Sequence, residues 1–287
     1  MTELGLGKLS HSPAWTLNRR QLTLIQTGLA ALLLLGVIIT GLLLSDERIS
    51  THFQARYLAP SLQHLFGTDW LGRDMLTRSL KGLTLSIGVG FLASTVSVLI
   101  ALTLGMAAAT LGQAVDAVIG WLVDLFIGMP HLVLIILIAF ALGGGMKGVV
   151  VGVALTHWPS LTRVIRAEVL QLRSAEFVQI SRHLGRSRWW VATRHIMPHV
   201  IPQLLVGLIL LFPHAILHEA AVTFLGLGLS PHQPAIGIIL SESMRYLSTG
   251  MWWLAFFPGL SLLLIVRAFD ILGNNLRMLS DPYSAHE

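Results

Sequence analysis

Long apolar runs separated by short polar ones dominate the chain. Residues 22–44 form an oily run just after Arg19 and Arg20, and positions 82–115 hold no formal charge. Further runs cover 115–142, 149–169, 196–225 and 246–272. A helix crosses the hydrocarbon core with about 20 residues, so each run is long enough. The pattern predicts an all-α, polytopic membrane bundle of about six transmembrane helices. Its punctuation is explicit: a tight turn near Gly112, a break at "GGGMKG" (143–148), and Asp116, Asp124 and Pro130 within the third span. Pro198, Pro202 and Pro213 lie in the fifth span, where they permit a bent or broken helix. The chain thus divides into a tail at 1–21, a first span at 22–44, a polar segment at 45–82, a membrane core at 83–276 with a polar loop at 170–199, and a tail at 277–287.

Composition agrees. The chain is 54% hydrophobic and only 11% charged, whereas a soluble domain carries about 25% charged residues. It has no cysteine, which excludes disulfides and thiolate metal sites. The net charge of +5 needs no nucleic acid as partner, because basic cytoplasmic loops account for it. Arg163, Arg166, Arg173, Arg182, Arg186, Arg188 and Arg194 fall in one loop region against Glu168 and Glu176. In 45–82, by contrast, Arg48, Arg56, Arg73, Arg78 and Lys81 are nearly balanced by Asp46, Glu47, Asp69 and Asp74. The positive-inside rule then places both termini in the cytoplasm. No small-x-small cleavage site follows the first run, so that run reads as a retained span rather than a signal peptide.

The basic stretch "EFVQISRHLGRSRWWVATRHIMPH" (176–199) interrupts this oily pattern. Phe177, Ile180 and Leu184 recur at helical spacing, while Gln179, Arg182 and Arg186 share the other side. Gly185 permits a sharp turn or a close backbone approach. On its residues alone the stretch fits either a helix lying on anionic headgroups or a helix that docks a protein.

Gly185 and Pro198 stand thirteen apart, the spacing of the EAA loop of ABC-importer permeases, E-A-A-x3-G-x9-I-x-L-P. Gln179, Ile180 and Ser181 occupy its E-A-A positions, and His195 and Met197 its I and L. "FGTDWLGRDMLTRSLKG" (66–82) resembles the L-G-T-D-x-L-G-R-D-x-x-S-R segment of the peptide/nickel permease family. "VTFLGLGLSPHQPAIGIILSESMRYL" (222–247) is similar to that family's S-F-L-G-L-G-x-x-P-P-x-x-x-W-G-x-M-L segment, with Ile236 in place of the tryptophan. "AFFPGLSLLLIVRAFDILGNNLRMLSDP" (255–282) resembles its closing segment, with Asn274 replacing an acid and Asp281-Pro282 retained.

The likeness covers roughly residues 22–282 and is closest to the second, C-type permease, nickel-type members above all. It implies an ABC-importer type I permease fold in a bacterial inner membrane. The implied partners are a homologous second permease, two cytoplasmic ATP-binding subunits, an extracytoplasmic substrate-binding protein and membrane lipid. ATP and magnesium would be used by the partner ATPases, with no cofactor on this chain. The residues agree, because no G-x-x-x-x-G-K-[ST] motif occurs in the sequence. The resemblance makes 176–188 the coupling helix, with Phe177, Ile180 and Leu184 as buried anchors and Arg182 and Arg186 as rim contacts. Gln179 and Ser181 belong to the same docking surface, and Gly185 supplies the bend.

Within the polar segment, Asp69, Gly72, Arg73 and Asp74 form a candidate extracellular motif. Asp69 or a neighbour is expected to cap the helix leading into the second span. The segment reads as a lid packed on the permease, or as a polar network receiving the binding protein.

Three histidines fall where a span should be apolar: His157, His214 and His218, the last two four apart on one helical face. Ionisable groups at membrane depth face a bundle interior or a cavity, and imidazole suits nickel, copper, zinc or cobalt. His157, His214 and His218 are therefore candidate metal contacts, each with a structural alternative as a cap or a polar bundle contact. The family's nickel-type members look more like "HW" and "H-x-x-x-H" at these places than its peptide permeases do, which points to nickel or a metal chelate as cargo, with a di- or oligopeptide as the alternative. Enzyme readings fail: "HEAAV" (218–222) lacks the second histidine of H-E-x-x-H, and "GLSPH" (228–232) lacks the closing glycine of G-x-S-x-G. A stand-alone secondary metal transporter would show an inverted repeat with paired acidic spans, which the sequence does not display.

Overall fold

The computed structural model describes residues 19–280. Most of the tail expected at 1–21, and 281–287 with Asp281-Pro282, lie outside the described residues. The described chain is helical, with one isolated bridge between Thr68 and Asp74 in place of any strand. In chain order the helices are α1 (Arg19–Leu43), α2 (Met75–Thr110), α3 (Gln113–Gly128), α4 (His131–Ala141), α5 (Gly145–Ser174), α6 (Glu176–His183), α7 (Arg188–Val191), α8 (Met197–Phe224), α9 (Ile236–Met244) and α10 (Trp253–Ser280). Five helical stretches are long and apolar enough to cross a membrane, or six when the bent pair α3–α4 counts as one.

That pair corrects the expectation of one continuous third span. α3 and α4 meet at 97°. Pro130 lacks an N–H and pushes Met129 into an extended conformation (φ −91°, ψ 143°), so the helix stops instead of merely kinking. Gly143, Gly144 and Gly145, all with positive φ, then reverse the chain into α5. The fifth span, where three prolines permit a bend or a break, has no break at Pro202 or Pro213. α8 runs unbroken through Pro202 and Pro213, and a π turn at Ala192–Ile196 joins it to α7, so the irregularity sits at the start of the span.

Two boundaries also move. α2 begins seven residues earlier than the sequence division at 82, because Asp74 caps it: its Oδ1 accepts from the Thr77 N–H and Oγ1, both at 2.8 Å. α10 begins at Trp253 instead of 246, since a 3₁₀ turn at Leu247–Thr249 and left-handed Gly250 (φ 84°) fill the interval.

α2 is the central pillar, packed along α5, α8 and α1. Small residues permit the approach, as they do between helices in lipid, where packing replaces the hydrophobic drive. Gly105 lies against Ile165 of α5 and Gly90 against Ile216 of α8, while Gly82 meets the backbone of Pro234 and Ile236 at the start of α9. α1 sits at the periphery. It buries Ala30, Leu34 and Val37, shows Leu29, Leu32, Leu35 and Leu42 outward, and is tied to α10 by Asn275 Nδ2, which donates to Thr23 O and Thr27 Oγ1 at 3.2 and 3.0 Å. α3 is pinned to α5 by Asp116–Arg166 and Asp124–Arg163 ion pairs.

A Cβ on Gly82 would stand 2.4 Å from Pro234 O and 3.1 Å from Ile236 N, both backbone atoms. Gly82→Ala is therefore expected to destabilise the chain by about 1–3 kcal/mol. Gly88→Ala, with nothing within 4 Å, is expected to be neutral or slightly stabilising. Unfolding midpoints of the two variants in mixed detergent check the difference.

Candidate functional site

A cavity of about 650 Å³ opens between α3–α4, α5 and α8. One continuous face of α8 lines it: Gln203, Val206, Gly207, Leu210, His214 and His218. Apart from the adjacent Val206 and Gly207, successive positions fall three or four apart, the repeat that keeps side chains on one side of a helix. Phe126, Leu161 and Val164 make the middle apolar, and Arg277 of α10 joins the lining.

Three imidazoles converge on this cavity. The break before α4 brings His131 in at a helix N-terminus, α5 presents His157 and α8 presents His218. Ring centroids are 4.4 Å apart for His131–His157, 4.9 Å for His131–His218 and 5.1 Å for His157–His218. One ring nitrogen from each lies within 4.8 Å of the others. His131 Nε2 stands 3.2 Å from His157 Nδ1 and 3.4 Å from its Nε2. His157 Nδ1 lies 2.8 Å from Val153 O, and His218 Nδ1 lies 2.7 Å from His214 O.

The sequence pointed to His157, His214 and His218. The structure gathers His157 and His218 but puts the His214 ring outside the cluster: His214 lines the cavity one turn away and contributes its carbonyl to His218. The third member, His131, was missed. Its signal was the preceding Pro130, which marks a place where a spanning run stops and a side chain at the new N-terminus can turn inward. The acid beside His218 is turned elsewhere: Glu219 is buried and accepts from Thr223 Oγ1 at 2.9 Å.

The loop between α5 and α8 forms the second candidate surface. α6 ends at His183, short of the expected 188, and closes in a left-handed turn at Gly185 (φ 79°). Gly185 N–H donates to Arg182 O at 3.0 Å and Arg186 N–H to Ser181 O at 3.1 Å, the paired bonds of a Schellman cap. No neighbour lies within 4 Å of a Cβ built on Gly185, so its role is the turn rather than close packing. Val178, fully buried, fixes α6 to the core beside Val191, Ile196 and Val200. Phe177, Ile180 and Leu184, expected as buried anchors, are 40%, 57% and 76% exposed in this chain. Gln179 Nε2 donates to Ser174 O at 3.0 Å, Ser181 Oγ lies 2.9 Å from His195 Nε2, and Arg186 stacks over Trp190 at 4.7 Å.

The 66–82 motif forms a compact polar network. Asp69 Oδ1 accepts from the Leu71 and Arg73 N–H groups, both at 2.9 Å, and its Oδ2 from Arg73 Nε at 2.6 Å and Arg78 Nη1 at 2.7 Å. Both arginines reach Glu242 Oε2 from α9, at 3.2 and 2.9 Å. Asp74, not Asp69, caps α2, and its Oδ2 lies 3.0 Å from His64 Nδ1. At Gly72 (φ 77°) a Cβ would lie 1.9 Å from His52 O, so only glycine fits. Arg78 and Glu242 complete the network but stood outside the expected set, because Glu242 lies 164 positions away in the chain.

Comparison with known proteins decides the family. Residues 101–277, which include α6 and the three converging histidines, match the binding-protein-dependent transport system inner membrane component. The chain belongs to this permease family. It is 33% identical over 266 residues to the dipeptide transport system permease of Alkalihalophilus pseudofirmus, covering 93% of this chain and 87% of that one. It is 34% identical over 236 residues to the nickel transport system permease of Escherichia coli K12, covering 81% and 84%. Among solved structures, an inward-facing form of the MetNI methionine ABC transporter shares the permease fold at 17% identity. The TM-score is 0.57, with 72% of this chain and 98% of that chain covered. The protein is thus an integral membrane permease of an ABC importer, a transport subunit rather than an enzyme, and its family implies ATP-binding and substrate-binding partners.

Arg78 is 3% exposed and holds both Asp69 and Glu242. Removing one partner of a buried pair costs about 3–5 kcal/mol, because the other charge is left stranded. Arg78→Leu in the permease is therefore expected to lose several kcal/mol. Lys81→Leu, whose partner Asp46 is 84% exposed, is expected to lose under about 1 kcal/mol. Denaturation of both variants in detergent checks the ranking.

Proposed function

We propose that this permease forms half of the translocation pathway for nickel or a metal chelate, delivered by an extracytoplasmic binding protein and driven by partner ATPases. The observation that carries this reading is the convergence of His131, His157 and His218 on the cavity between α4, α5 and α8. Neutral imidazole is a preferred ligand of nickel, copper, zinc and cobalt, and three imidazoles together have little use in holding a peptide backbone. The nickel permease of E. coli K12 supports the reading. The dipeptide relatives supply its competitor.

The second half of the pathway comes from a homologous permease, in a heterodimer with both termini cytoplasmic, an orientation the arginine-rich loop supports. α6 is the coupling helix. Its exposed Phe177, Ile180 and Leu184 are the apolar surface that a groove on the ATP-binding subunit covers, with Arg182 and Arg186 at the rim. α6 follows α5 through Ala175 alone and leads through α7 into α8. A push on α6 therefore reaches the two helices that carry His157 and His218. Closure of the ATPases would rock α5 and α8 and alternate access to the cavity. ATP and magnesium stay on the partner subunits.

Two experiments test this. In proteoliposomes holding the whole complex, uptake of nickel or a nickel chelate is expected to stop without ATP and to persist when ion gradients are collapsed. Saturable dipeptide uptake with no metal uptake would overturn the cargo. Gly185→Asp is expected to abolish transport-coupled ATP hydrolysis while membrane insertion stays intact, because it loads a charge and about 1 kcal/mol of left-handed strain onto the cap of α6. Unchanged coupling would remove α6 from that role.

A further inference from the structure

We infer that His131, His157 and His218 form an inner-sphere site for one divalent transition-metal ion, built by this chain alone and open to the cavity on one side. The inference rests on the proposed metal cargo and says how that cargo is held.

Lone pairs come first. His157 Nδ1–H donates to Val153 O at 2.8 Å and His218 Nδ1–H to His214 O at 2.7 Å. A backbone carbonyl can only accept, so both rings keep the proton on Nδ1 and leave Nε2 as a free lone pair. This is the outer bond that orients a metal-binding histidine. His131 Nε2 lies 3.4 Å from His157 Nε2 and 3.2 Å from its Nδ1, so turning the His131 ring towards Nε2 places both lone pairs on one ion. Two nitrogens bound to one ion at about 2.1 Å stand about 3.0–3.4 Å apart for octahedral or tetrahedral angles. One ring nitrogen of each histidine lies within 4.8 Å of the others, so rotation of the rings would bring three lone pairs to one ion.

Selectivity follows from what else lines the cavity. No Asp or Glu does, among the described residues. Magnesium and calcium require oxygen ligands, whereas three neutral imidazoles favour borderline ions such as cobalt, nickel, copper and zinc. The ion keeps its full charge, and the positions the protein leaves open face the cavity, where the donors of a chelator or water complete them. His214 supports the site through its carbonyl and not through its ring.

The test uses the full complex in detergent, with Co²⁺ as the probe, titrated by its visible d–d absorption. Wild type is expected to show a saturable imidazole-bound Co²⁺ that Ni²⁺ displaces and millimolar Mg²⁺ does not. His131→Gln, His157→Gln and His218→Gln should each weaken binding by about tenfold or more, while the ATPase activity of the complex reports intact folding. His214→Ala should keep the Co²⁺ affinity. Co²⁺ binding that survives His131→Gln, or that falls equally in His214→Ala, overturns the site. The two readings fail separately. Metal uptake with no Co²⁺ signal at the trio sinks the site and leaves the cargo, while a trio-dependent signal in a complex that carries only dipeptides keeps the site and sinks the cargo.

Discussion

Hydrocarbon offers no hydrogen bonds, so every polar group within the bundle must be satisfied by the protein or by water in a cavity. The rest of the structure follows from this constraint. It explains why α2 packs on its neighbours through Gly82, Gly90 and Gly105, since close backbone approach is the attraction left once apolar burial no longer discriminates between protein and lipid. It also explains the company the charges keep. Asp116 and Asp124 meet Arg166 and Arg163, and Asp69 meets Arg73 and Arg78, which share Glu242. Three histidines instead meet one another with no acid between them, beside a cavity.

On the proposed reading, the same constraint makes the α5–α6–α8 connection mechanically useful. α6 is too short and too polar to cross a membrane, yet Val178 locks it into the core formed by α2, α3, α5, α7 and α8. Its position is thus a property of the bundle, not of a floppy loop. The Schellman cap at Gly185 satisfies the last carbonyls of α6 locally, so its outer apolar side chains need no partner within this chain. Displacing such a rod shifts the helices on both sides of it, because packed interfaces move as units. The Asp69–Arg73–Arg78–Glu242 network ties the 66–78 segment to α9 across the chain.

Much of this was legible in the sequence because its signals are local. Apolar run length marks the spans, arginine density marks the loop, and the interval from Gly185 to Pro198 marks the cap and the start of α8. Local signals also misled. Pro130 reads as lying within one continuous span, whereas the extended Met129 before it makes a 97° break there. Pro202 and Pro213, which permit a bend or a break, lie within a continuous α8. The pairing of Arg78 with Glu242 and the arrival of His131 beside His157 depend on how distant helices pack, which periodicity does not report. His214 shows the limit clearly: its spacing from His218 correctly puts both on one face, but a shared face spans several turns, and only one of the two rings reaches the other imidazoles.

The distribution of the three histidines bears on why a metal cargo suits an alternating-access machine. His131, His157 and His218 sit on α4, α5 and α8, and α5 and α8 flank the element proposed to receive the stroke. Metal–ligand bonds are short and directional, so affinity falls steeply when one donor of three is withdrawn by even an ångström. A peptide held by spread-out hydrogen bonds and apolar contacts would respond to the same displacement far more gently. On the proposed reading, a small relative shift of α5 and α8 is therefore enough to turn a tight site into a weak one, and release requires no large opening of the cavity around it.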